Sequence, residues 1–116
     1  MKHTFKIDGK EYTFSHGFNA SAEIQQIAEE KGRVDPRDIA KICLKEKDGS
    51  EIEDVGAVID RQDEIANADY EKKTKGMTDK QIEAYVPPVN LNLLMNRAIG
   101  QETARFFLLK SLHKKE

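Results

Sequence analysis

The chain has 116 residues, 38% hydrophobic and 34% charged, with 19 bases against 21 acids and a formal net charge of -2. This length supports one domain with a modest core, and the charge balance excludes the basic footprint that non-specific nucleic-acid binding requires. A single cysteine, Cys43, excludes an intramolecular disulfide and a cysteine-rich zinc site.

The opening residues mix charge with apolar side chains and lack the continuous apolar segment of a signal peptide. No apolar run is long enough to cross a bilayer; the stretch from Phe106 to Leu109 is stopped by Lys110. The expectation is a soluble cytoplasmic protein with no membrane or nucleic-acid partner.

In chain order, Asp8-Gly9 lies between two alternating runs, which is a strong hairpin signal. With these two residues as the loop, Ile7 faces Lys10, Lys6 faces Glu11 and Phe5 faces Tyr12. Phe5, Ile7, Tyr12 and Phe14 then share one face, which must pack on helices because an isolated hairpin is marginal. A first helix follows with Asn19 or Ser21 as its cap, an apolar stripe of Ile24, Ile27 and Ala28, and Gly32 as its stop.

Asp35-Pro36 opens a second helix, a capping side chain followed by proline in the first turn, with Ile39, Ile42 and Cys43 on its apolar side. Ser50 with Glu53 reads as a capping box for a third helix running as far as Lys75, with Ile52, Val55, Ile59, Ala66 and Tyr70 on one face. Asp48 to Glu53 is also compatible with the turn of a second hairpin. From Glu46 to Asp69 there are nine acids and two bases, so this part presents an acidic surface. Thr78 and Gln81 form a capping box for a short helix ended by Pro87-Pro88.

The last helix, Pro88 to Lys114, carries two apolar stripes. At about 100° per residue, Leu91, Leu94, Met95, Ala98, Leu109 and Leu112 form a core face. Leu93, Gly100, Ala104, Phe107 and Ser111 fall roughly opposite, a stripe of small residues with one aromatic. Either helices of the same chain cover both sides, or the second stripe meets a partner. Glu102 and Arg105 interrupt the core face three residues apart and can pair across one turn.

The expected fold is α+β: an N-terminal β-hairpin (1–16) packed on a helical body (19–116) of four to five mostly short helices with a long C-terminal one. No catalytic motif, cofactor motif or metal-ligand spacing is apparent. Cys43, His3, His16 and His113 are not spaced as a metal site or nucleophile–base pair, and Cys43 reads as a core residue. The Asp60, Asp63 and Glu64 group lacks a calcium loop and contains Arg61. Lys110, Lys114 and Lys115 suit a helix C-terminus without any ligand.

Phe5-Lys6-Ile7-Asp8-Gly9-Lys10-Glu11-Tyr12-Thr13-Phe14, followed by Gly17-Phe18 and a short helix to Glu30, resembles the start of small tail assembly chaperones of phages with long non-contractile tails. The resemblance implies a non-enzymatic phage or prophage protein, made in the host cytoplasm, that binds and solubilises the helical tape-measure protein during virion assembly. It implies the tape-measure or tail tube protein as partner, with self-association a further option. Leu93, Gly100, Ala104, Phe107 and Ser111 are the candidate partner-binding residues. The alternatives are a structural virion subunit of the tail or head-tail connector, and a small acidic regulator that binds a host protein.

Overall fold

The computed structural model describes residues 2–114, with side chains described as far as Leu112. Its elements are β1 (Lys2–Ile7), β2 (Lys10–Ser15), α1 (Phe18–Lys31), α2 (Pro36–Cys43), β3 (Leu44–Glu46), α3 (Val55–Thr74), α4 (Asp79–Ala84) and α5 (Leu91–Lys114). The fold is α+β: an N-terminal antiparallel hairpin extended to a three-stranded sheet, with five helices of which the last is the longest.

The hairpin has the register expected from its turn, with Ile7 opposite Lys10, Lys6 opposite Glu11 and Phe5 opposite Tyr12. Asp8 and Gly9 both take positive φ, 51° and 80°. Two positive φ values in a two-residue loop match the right-handed twist of the flanking strands, and Asp-Gly supplies them at little steric cost. The Asp8 carboxylate accepts from Arg61 of α3 at 2.8 and 3.1 Å, which ties the turn to the third helix. Ile7, Tyr12 and Phe14 are buried and Phe5 packs against them.

Sequence patterning did not anticipate β3. The second helix ends at Cys43, and Leu44 turns extended to pair with Phe14 across the strands, both fully buried. A three-residue strand has no periodicity of its own, and Ile42-Cys43-Leu44 reads equally well as a helix stripe. The chain then does turn at Asp48: Gly49 adopts φ 88°, Ser50 N–H donates to the Asp48 carboxylate at 2.9 Å, and Glu46 N–H donates to Ser50 C=O at 3.0 Å. Ser50 is therefore engaged in this turn and does not cap a helix. The third helix starts at Val55, capped by Asp54, whose carboxylate accepts from Ala57 N–H at 3.0 Å.

Other boundaries follow local chemistry. Gly17, in extended backbone with no side-chain cap, precedes α1, which begins ahead of both expected caps, Asn19 and Ser21. Gly32 ends it at φ 77°, the left-handed cap conformation that glycine adopts freely. Asp35 caps α2 by accepting from Arg37 N–H at 3.0 Å, with Pro36 in the first turn. Hydrogen bonds from the Arg37 side chain and backbone hold the Asp35 carboxyl down at about 2. The capping box of α4 is complete, Thr78 N–H to Gln81 at 2.9 Å and Gln81 N–H to Thr78 at 3.3 Å. After Pro87-Pro88, Asn90 caps the last helix by accepting from Leu93 N–H at 3.0 Å.

The core lies between the inner face of the sheet and α1, α2 and the first half of α5: Phe14, Ile24, Ile39, Leu44, Leu91 and Leu94 are its largest fully buried apolar side chains. The third helix covers one flank, with Val55, Val58, Ile59 and Ile65 partly buried against that cluster. Among the described residues no helix is long and apolar enough to cross a membrane.

Candidate functional site

α5 changes character along its length. Leu91, Leu94, Met95 and Ala98 are buried as the first apolar stripe requires. Past Phe106, which is 7% exposed, the stripe loses its cover: Leu109 is half-buried and Leu112 is 53% exposed. The reason is the length of α1. It stops at Lys31 and Gly32, so the last turns of α5 run on beyond it, and Glu29, Gly32, Phe106, Leu109 and Lys110 line a cleft of about 210 Å³ where the two helices part.

The second stripe faces outward along its whole described length. Leu93, Gly100, Ala104, Phe107 and Ser111 are all exposed, Phe107 by 64%. Of the two readings open for Phe107, core or surface, the surface one is the geometry. Leu108 adds another exposed apolar side chain at 62%. A Cβ built on Gly100 would meet nothing within 4 Å, so the backbone there is open to an approaching group. Three large apolar side chains, Phe107, Leu108 and Leu112, thus stand in solvent within six residues. An exposed apolar concentration of this kind marks a contact surface more often than a scattered leucine does.

What holds α5 in place at this transition is a buried polar cluster. Glu102, 0% exposed, takes its position in the core face. His16 Nε2 lies 3.0 Å from its Oε1, and Gln25 Nε2 donates to Oε2 at 2.7 Å and to the Glu102 backbone carbonyl at 2.9 Å. The Arg105 guanidinium stands 3.6 Å from the carboxylate and donates to the Ser21 hydroxyl. Burial pushes the Glu102 carboxyl up, but hydrogen bonds from Gln25, Ser21 and His16, with the charge of Arg105, outweigh it and hold the group below its ordinary value. Both protons of the Gln25 amide are directed to Glu102 oxygens, which leaves its Oε1 buried without a partner among the described residues. The expected Glu102–Arg105 pair is therefore one edge of a larger network joining the β2–α1 junction, α1 and α5.

Sequence reading missed His16, Ser21 and Gln25 as members. A signal was present: Ser21 and Gln25 share the buried side of α1 with Ile24 and Ala28, just as Glu102 interrupts the buried side of α5. Two polar interruptions on two apolar faces satisfy each other when the faces meet.

The other chemistry-bearing residues resolve individually. Burial, then the negative charge of Glu102, pushes the Cys43 thiol up to about 12, so it stays protonated near neutrality and is not the thiolate a nucleophile requires. His3 stacks on Phe5 with ring centres 6.5 Å apart. The His113 and Lys114 side chains, and Lys115, lie outside the described residues. In the acidic segment, Arg61 bridges Glu64 at 3.0 Å as well as Asp8. Among the described residues no group of three or more His, Cys, Asp or Glu is placed to hold a metal ion. Comparison with protein-family models, with curated proteins and with solved structures finds no match.

Proposed function

We propose that this chain is a non-enzymatic binding protein that holds a helical protein along the outward side of α5, acting as a tail assembly chaperone that keeps a tape-measure protein soluble in the host cytoplasm. The observation that carries the binding role is Phe107, 64% exposed beside Leu108 and Leu112 on the part of α5 that outruns its cover. An amphipathic client helix laid along this surface would bury those side chains and its own apolar stripe together. The phage setting rests on the resemblance of residues 5–18 and the helix after them, and the α+β architecture is compatible with it.

The test is capture by the tagged chain from cells carrying the phage or prophage, with mass spectrometry of the eluate and of purified particles. The chaperone reading predicts a long helical protein in the eluate and this chain missing from particles. Stoichiometric presence in particles would make it a structural subunit instead, and recovery of a host protein alone would favour the acidic-regulator alternative.

A further inference from the structure

We propose, building on the reading of α5 as a client-binding helix, that the client helix is acidic along the edges of its apolar stripe. From Leu91 to Lys114, α5 contains four bases, Arg97, Arg105, Lys110 and Lys114, and one acid, Glu102. That acid is wholly buried, on the side away from the outward stripe. At about 100° per residue, Arg97 falls on one flank of the stripe through Gly100, Ala104 and Phe107, and Lys110 on the other. Both are exposed. Lys110 stands 5.6 Å over the ring of Phe106 and lines, together with Glu29, the cleft toward α1. A partner lying on this helix therefore meets Leu93, Ala104 and Phe107 between one base on each flank, Arg97 and Lys110, with no exposed carboxylate on α5 itself.

Charge complementarity sets the chemistry of the occupant: glutamates and aspartates flanking a leucine-rich stripe complete this surface, and lysines there oppose it. A second copy of the chain is the poorer fit. Its acidic helix α3 already turns Val58, Ile59 and Ile65 toward its own core and has no comparable stripe left to receive Phe107. An anionic membrane would also meet these bases, but the middle of the outward stripe is Gly100 and Ala104, small residues that admit a close helix backbone better than they anchor in lipid.

The test uses the full chain and two synthetic helical peptides with the same leucine stripe, one flanked by glutamate and one by lysine. Anisotropy titration is expected to show the glutamate peptide binding at least about tenfold tighter, with the difference shrinking as salt is raised. Lys110→Glu should reduce that preference about fivefold. Gly100→Leu, which fills open space without touching the core, should block both peptides while circular dichroism stays unchanged. Equal binding of the two peptides, with Gly100→Leu still blocking, overturns the acidic preference and leaves the binding role intact. Binding of neither peptide overturns both. Preferential capture of the chain by anionic phosphatidylglycerol vesicles, or a dimer in sedimentation that excludes the glutamate peptide, replaces the acidic helix with lipid or with a second copy.

Discussion

Glu102→Ala is expected to destabilise the chain by about 3 kcal/mol, because removing one partner of a buried charged network leaves the others without compensation. The Gln25 amide would remain buried with its carboxylate acceptor gone, His16 would lose its contact with Glu102, and Arg105 would lose the carboxylate 3.6 Å away. Urea unfolding followed by circular dichroism at pH 7 measures the loss. The pH dependence has a definite sign. A carboxyl held below its ordinary value when folded contributes fully above the unfolded value of roughly 4.3 and less as pH falls through the folded value. The stability difference between the natural chain and Glu102→Ala should therefore narrow as pH is lowered below about 4. A difference that stays constant from pH 7 to pH 3 would show that Glu102 acts by packing alone.

Phe107→Asp is expected to do the opposite: little to stability and much to binding. The side chain is 64% exposed, so a charge there is solvated and the fold should change by less than about 0.5 kcal/mol. A central aromatic anchor lost from an interface costs about 2 kcal/mol or more, which is a loss of affinity of about thirtyfold or greater. Its neighbour is the control. Phe106 is 7% exposed, and truncating it to alanine should cost about 3 kcal/mol of stability. Unfolding of Phe107→Asp would place the ring in the core and remove the basis for the proposed contact surface.

How much was legible in the sequence depended on the range of the interactions. The hairpin was readable to the residue, because Asp8-Gly9 and the alternation around it fix the register within fourteen residues. The Asp35-Pro36 start, the Thr78–Gln81 box and the Gly32 stop were readable for the same reason: their donors and acceptors lie within four residues. The third strand was not, since Leu44 owes its conformation to Phe14, thirty positions earlier. Nor was the choice between Ser50 and Asp54 as a cap, because Asp48 and Glu46 compete for Ser50.

The two stripes of α5 were visible in the pattern, but which turns are covered depends on where α1 ends in space. A helical wheel carries no information about a neighbour's length, so Leu112 read as core and stands exposed. The same limit hid the polar cluster. Glu102 and Arg105 were noticed as interruptions, yet their partners His16, Ser21 and Gln25 lie more than seventy residues away and become apparent only when α1 meets α5.

The most direct measurement is hydrogen exchange of the full chain alone and in complex with the helical protein it captures. If the outward side of α5 holds the client, the amides of residues 103–112 should exchange more slowly in the complex, while those of the acidic segment 46–69 keep their rates. Slowing confined to residues 46–69, with 103–112 unchanged, would contradict this and place the contact on the acidic surface instead.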